Sequence, residues 1–170
     1  LNKKIWKKKT IIIFPIILSF LFLLLFVYAA YELRIKQGAE AILFVLGVCI
    51  FSDVGGYIIG KSIGGKKLTK ISPNKTISGS FGSFLFSLFP LGIALIFFNT
   101  INYSGKYILL CLLVSLSCQL GDLIISYFKR LAKVKDTGKI LPGHGGMLDR
   151  IDGVIFAIPA TIFIILPLVF

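Results

Sequence analysis

Apolar residues run almost unbroken through five windows of this chain, at 10–31, 41–60, 81–98, 107–126 and 154–170. Each matches the ~17–25 residues that a helix needs to cross the hydrocarbon of a bilayer. None alternates apolar and polar positions as a strand would. Backbone at membrane depth has to satisfy its own hydrogen bonds, so helices are predicted in all five. Pro15, Pro90, Pro159 and Pro167 are expected to kink or end helices locally. Two long polar connections, 61–80 and 127–150, alternate with two short ones, 33–40 and 99–106. The pattern predicts an all-α, polytopic membrane bundle of about five transmembrane helices. Residues 1–40 form a basic N-terminus and first helix, and residues 41–170 form a membrane domain carrying two motif loops.

Composition agrees. With 56% hydrophobic residues among 170 and a mean hydropathy of +0.94, the chain is too apolar for an ordinary soluble domain. The net charge of +12 would suit a nucleic-acid partner, but its distribution argues against one. Five lysines precede the first window, five lie in 61–80 and six Lys or Arg lie in 127–150, whereas the two short connections hold only Arg34, Lys36 and Lys106. Sixteen against three is the asymmetry expected for a cytosolic N-terminus and five crossings. The first window resembles a signal peptide in its basic lead, Lys3 to Lys9. Its apolar run, 11–27, exceeds the ~7–15 residues of a signal core, so a retained helix is expected. Cys49, Cys111 and Cys118 fall inside windows at spacings that match no metal motif and read as small packing residues.

Two aspartates lie where hydrocarbon should be, and a carboxylate there costs a few kcal/mol or more unless it faces a polar cavity, a partner or a metal. Asp53 sits about two helical turns before Gly60. It is open to ligating a metal, holding a loop lysine or orienting a sugar hydroxyl, with an ion pair to Lys61 as the plainest alternative. Asp122 sits near the end of the fourth window. Asp149 and Asp152 flank Arg150 where the second loop re-enters the membrane, and they could join Asp122 around Mg²⁺, which favours oxygen ligands and substrate phosphates. Alternatively they pair with Arg150 or cap the last helix. Glycines in both loops permit close backbone approach, and lysines supply charge for phosphate. No G-x-x-x-x-G-K-[ST] spacing occurs, so any nucleotide binds without a P-loop of that type. His144 is the only histidine and lacks a catalytic cysteine or serine partner, which favours a hydrogen-bonding role. Lys129, Arg130, Lys135 and Arg150 are too concentrated to serve topology alone.

The order and spacing of Ser126, Lys129-Arg130, Lys135-Asp136, Gly138, Leu141-Pro142, His144-Gly145-Gly146, Asp149-Arg150 and Asp152 resemble the signature of the phosphatidate cytidylyltransferase (CDP-diacylglycerol synthase) family. The first loop agrees: Asp53 to Tyr57, Gly60-Lys61, Gly64, Lys67-Leu68, Ser72-Pro73, Lys75-Thr76 and Gly79 look like that family's other motif. The likeness covers roughly 41–170. It implies transfer of CMP from CTP to phosphatidate with Mg²⁺, with Asp122 and Asp149 as metal ligands. Lys129, Arg130, Lys135, Asp136, His144 and Arg150 carry over as further catalytic positions. Asp53, Tyr57, Lys61, Lys67, Ser72, Lys75, Thr76, Ser126, Gly145 and Gly146 carry over as substrate contacts.

The chain departs from the family pattern at Ile125, where Glu is usual, and at Ser78, where an acidic or amide residue is common. Members of the family usually have more membrane helices before the matched region, so a compact enzyme or a homodimer that completes the bundle is expected. The implied location is a bacterial inner membrane, with the site facing the cytosol. Rival readings are a CTP-using enzyme acting on another lipid, such as a CDP-archaeol synthase or a polyprenol kinase, and a non-catalytic subunit that binds anionic lipid.

Overall fold

The computed structural model describes residues 2–69, 72, 75–97, 105–134, 137–138, 146 and 148–170, with only the backbone for 2–15, 97 and 148–150. Its helices are α1 (Asn2–Gln37), α2 (Ala39–Ile63), α3 (Ile77–Phe86), α4 (Phe89–Phe97), α5 (Gly105–Leu131) and α6 (Leu148–Ala160). A π-helical turn, Thr161–Ile165, then leads into α7 (Leu166–Val169). Among the described residues the only β pairing is one antiparallel bridge, Lys67 with Thr76. Five helical segments among the described residues are long and apolar enough to cross a membrane: Ile16–Gln37, Ala39–Ile63, Ile77–Ile96, Gly105–Leu131 and Ile151–Val169. This is the all-α membrane architecture that the windows predict.

The ends of the elements differ from the windows for identifiable reasons. The predicted turn at 33–40 shrinks to Gly38, whose φ of +86° is readily available only to glycine. The third window is not one helix. It breaks at Ser87-Leu88, because Pro90 has no N–H and belongs in the first turn of a new helix, α4. α2 and α5 run beyond their windows to Ile63 and Leu131, so Lys61, Lys129 and Arg130 stand on helices rather than in loops. Pro159 is accommodated inside α6 with the π-turn directly after it, whereas α1 continues through Pro15.

The core is shared by most of the elements. Ala29 and Leu33 of α1, Val48 and Cys49 of α2, Cys111, Val114 and Cys118 of α5, and Ala157 and Ile158 of α6 are all buried in one cluster. The three cysteines are free thiols within it, as packing residues would be. Large apolar side chains elsewhere, such as Ile16, Phe20, Leu43, Phe81 and Ile164, point outward and suit a lipid environment.

Helices in lipid gain little from apolar burial, so close approach through small residues has to hold them. α2 and α3 cross in that way. A Cβ at Gly55 would lie 2.6 Å from the Gly82 carbonyl oxygen, one at Gly82 2.7 Å from the Gly55 carbonyl oxygen, and one at Gly79 2.8 Å from the Gly56 carbonyl oxygen. α5 and α6 meet through Gly121, beneath Phe156, and Gly153, beneath Cys118.

A candidate ligand site at one end of the bundle

The chain between α2 and α3 folds back on itself. Leu68 N–H donates to the Lys75 carbonyl at 2.8 Å, and Ile77 N–H donates to the Lys66 carbonyl at 3.0 Å. Gly64 and Gly65 make the turn out of α2 with φ of +65° and +109°. Ser78 closes it. Its hydroxyl donates to the Gly64 carbonyl at 2.5 Å and shares a 3.0 Å hydrogen bond with Thr76, whose own Oγ1 caps α3 by accepting from Gly79 N–H at 3.1 Å. The unusual serine at 78 thus ties the two ends of the loop together.

Under this loop lies a cavity of about 310 Å³. α2 contributes Asp53, Gly56 and Tyr57; the loop contributes Leu68, Ser72, Lys75 and Thr76; α3 contributes Gly79, Ser80 and Ser83; α5 contributes Gln119 and Asp122. Six residues selected from the sequence (Asp53, Tyr57, Ser72, Lys75, Thr76 and Asp122) are therefore brought to one wall system. They sit where the spans end, because the C-terminal halves of α2 and α5 and the N-terminus of α3 share that end.

The charges at this end are paired. Lys75 Nζ forms an ion pair with Asp122 Oδ2. Ser126 Oγ donates to the other oxygen of Asp122 at 3.3 Å, from one turn further along α5. Lys129 Nζ donates to Asp152 Oδ2 at 3.5 Å, joining α5 to α6, while Asp152 Oδ1 accepts from Gly153 N–H at 2.9 Å. The Asp122 carboxyl acts electrostatically on both Asp53 and Asp152. Among the described side chains, three carboxylates thus meet two ammonium groups in this cluster.

Other candidates lie apart from this cluster. Lys61 does not pair with Asp53; its ammonium rests against Tyr57, 3.3 Å from Oη and 5.5 Å from the ring centroid. Lys67 is exposed on the loop bridge, and Arg130 is exposed with Nη1 donating to the Val134 carbonyl at 3.4 Å. Gly146 is buried against Thr137 and Gly138, so that a Cβ there would meet the Thr137 hydroxyl and lie 2.8 Å from Gly138 N. Lys135, Asp136, His144 and Gly145 lie outside the described residues. Asp149 and Arg150 have described backbone in the first turn of α6, one turn before Asp152, and their side chains lie outside the description. Among the described residues, no three His, Cys, Asp or Glu side chains form a ready-made metal cage.

Several residues of the site escape sequence reasoning. Ser80 Oγ donates to Gln119 Oε1 at 2.5 Å, Gln119 Nε2 donates to Ser115 Oγ at 3.2 Å, and Ser115 shares a 2.8 Å hydrogen bond with Ser52. This polar thread runs from the cavity wall into fully buried helix interior. Cys118 Sγ lies 3.9 Å from Asp53 Oδ1. The available signal was polarity inside an apolar window: Gln119 is one turn before Asp122 on the same helix face. Asp152, read from sequence as joining Asp122 and Asp149 around Mg²⁺ or else as a cap or a partner of Arg150, accepts a hydrogen bond from Lys129, a contact that reading did not offer.

A helical membrane protein with a polar, carboxylate- and lysine-lined cavity at the end of its spans is the class these features define. The chain belongs to the cytidylyltransferase family, whose sequence model matches residues 1–168. Proteins named phosphatidate cytidylyltransferase from Staphylococcus aureus, Staphylococcus epidermidis and Staphylococcus saprophyticus are 44%, 43% and 42% identical to it over 131, 130 and 130 residues. Each match covers 76% of this chain and 50% of the relative, so the chain spans about half the length of these proteins.

Proposed function

We propose that this chain carries the catalytic centre of a phosphatidate cytidylyltransferase, which joins CTP and phosphatidate to give CDP-diacylglycerol and pyrophosphate. The observation that carries this reading is the convergence of Asp53, Asp122 and Lys75 on one cavity at the end of the spans. A lipid phosphate would lie at that depth while its tails remain in the leaflet. The excess of Lys and Arg at the same end supports a site facing the cytosol, in a bacterial inner membrane.

The chemistry needs no protein nucleophile. A phosphate monoester has a second pKa of about 6 and is mostly a dianion at neutral pH. One of its oxygens attacks the α-phosphorus of CTP, the bond to the β-phosphate oxygen breaks, and pyrophosphate leaves with that electron pair. Positioning and charge neutralisation are what remain for the chain. Lys75 and Lys129 offer ammonium groups, Ser126 orients the Asp122 carboxylate, and the thread through Gln119 fixes the cavity wall. Mg²⁺ is commonly held by one or two carboxylates together with substrate phosphates and water; Asp122 at the cavity would supply one such carboxylate, and the resemblance to the family makes Asp149 the other. Bound there, it would supply charge neutralisation for the phosphates.

The test is the full chain in lipid nanodiscs with CTP, phosphatidate and Mg²⁺, assayed for CDP-diacylglycerol and pyrophosphate beside Asp149→Ala. Product from wild type and its loss in the variant support the reading. Product only with another lipid moves the substrate assignment, and no turnover with any lipid leaves a lipid-binding subunit. Trapping a CMP-protein adduct would refute direct displacement. A homodimer belongs to the same proposal, since only 11% of the first span is buried against the rest. Light scattering in nanodiscs that gives one copy per disc would remove it.

A further inference from the structure

Lys75 lines the cavity and also pairs with Asp122 across it. Its backbone is held on both sides: its N–H donates to the Ser72 carbonyl at 3.1 Å, and its carbonyl accepts from Leu68 N–H at 2.8 Å. The next residue, Thr76, is the cap of α3. What can move is the side chain, a flexible four-carbon stem ending in a compact charge with three donors.

The charge balance gives that movement a purpose. Among the described lining residues, two carboxylates, Asp53 and Asp122, face one ammonium group, Lys75, so added cationic charge favours a polyphosphate there. A divalent cation arriving at Asp122 meets the Lys75 ammonium already on that carboxylate. Two cations at ion-pair distance from one carboxylate repel each other, which weakens the hold of Asp122 on the Lys75 ammonium.

We propose that Lys75 is the resident counter-ion of the carboxylate cluster, displaced from Asp122 by a divalent cation and thereby turned toward the phosphates of the ligand. In the ligand-free site its ammonium screens the carboxylates. With a divalent cation on Asp122, the same ammonium becomes a phosphate partner that was not available before. Cation and nucleotide then favour each other's binding, and by linkage the coupling is reciprocal. The inference rests on the proposed function only in taking the ligand to be a phosphate ester.

Mn²⁺ alone, counted as free ion by electron paramagnetic resonance, is the probe, with the full chain in nanodiscs and no turnover required. Lys75→Met should bind Mn²⁺ about tenfold more tightly than wild type without nucleotide, within the range of ordinary binding coupling, and CTP should tighten it less. Lys75→Arg should stay near wild type, as should Lys66→Met, an exposed lysine of the same loop. On the unmutated chain, adding Mn²⁺ should raise acetylation of Lys75 by an amine-reactive reagent, read by mass spectrometry, because its ion pair opens. That readout decides the matter if Lys75→Met does not fold. Unchanged Mn²⁺ affinity in a folded Lys75→Met, or unchanged labelling of Lys75, overturns the exchange. An active enzyme with neither effect removes the exchange and leaves the proposed function. An inactive one with both effects does the reverse.

Discussion

Replacing Gly55 by alanine places one methyl group where α2 and α3 cross most tightly. Its carbon would lie 2.4 Å from Phe86 Cβ and 2.6 Å from the Gly82 carbonyl oxygen, so the helices must separate by about 1 Å to restore ordinary contact. The obstruction includes backbone and cannot be relieved by a rotamer change alone. Gly92 of α4 provides the control, since a Cβ there meets nothing within 4 Å. Both changes are Gly→Ala inside a helix and share the same propensity gain of about 1 kcal/mol, which cancels when the two variants are compared. What remains is the overpacking cost, typically about 1–3 kcal/mol. For a chain of this size, 1 kcal/mol corresponds to roughly 2–4 °C in Tm. Gly55→Ala should therefore melt about 2–12 °C below Gly92→Ala in the same detergent, followed by tryptophan-independent circular dichroism. Gly56, the next residue, lines the cavity, so separating the helices should also weaken ligand binding at temperatures where the fold persists. A Gly55→Ala protein that melts with or above Gly92→Ala would show that this crossing does not hold the bundle as described.

The buried hydroxyl pair Ser52–Ser115 should give a double-mutant coupling of about 0.6 kcal/mol with alanine at each site, the average for polar contacts between membrane helices. Additive single-mutant losses would mean that the pair contributes nothing. Lys129→Met removes the ammonium group that donates to Asp152 Oδ2 and joins α5 to α6. We expect at least about tenfold lower kcat/KM, a loss of ~1.4 kcal/mol in transition-state stabilisation, with partial rescue by Lys129→Arg. Full activity in Lys129→Met would take that lysine out of the site.

The spans were legible because twenty apolar residues in a row leave few alternatives to a membrane helix. Their ends were not, because a helix continues into water as long as its backbone is satisfied, which is how Lys61 and Lys129 came to stand on α2 and α5. Asp53 and Asp122 were legible as site residues for an energetic reason, the cost of a bare carboxylate in hydrocarbon. Their partners were not. Lys75 and Asp122 are far apart in sequence, and any of five lysines in 61–80 was an eligible partner; the fold-back that selects Lys75 rests on main-chain hydrogen bonds and the Ser78 and Thr76 hydroxyls, none of which marks one lysine over another. The contact of Asp152 with Lys129 was not legible, because the two are 23 residues apart and Asp149 and Arg150 lay nearer in sequence.

Gln119 shows why fold and site are hard to separate in this protein. In water, a bundle can bury an apolar core and carry its polar site as an addition at the surface. In lipid, the apolar faces gain little by meeting one another, and α2, α3 and α5 have to be joined by glycine contacts and hydrogen bonds. Those joints lie at the cavity: Gly56, Gly79 and Ser80 line it, and Gln119 passes its hydrogen bonds from Ser80 on α3 down to Ser115 and thence Ser52 on α2. A change that loosens the wall therefore loosens the bundle as well, and a ligand that fills the cavity braces all three helices at once.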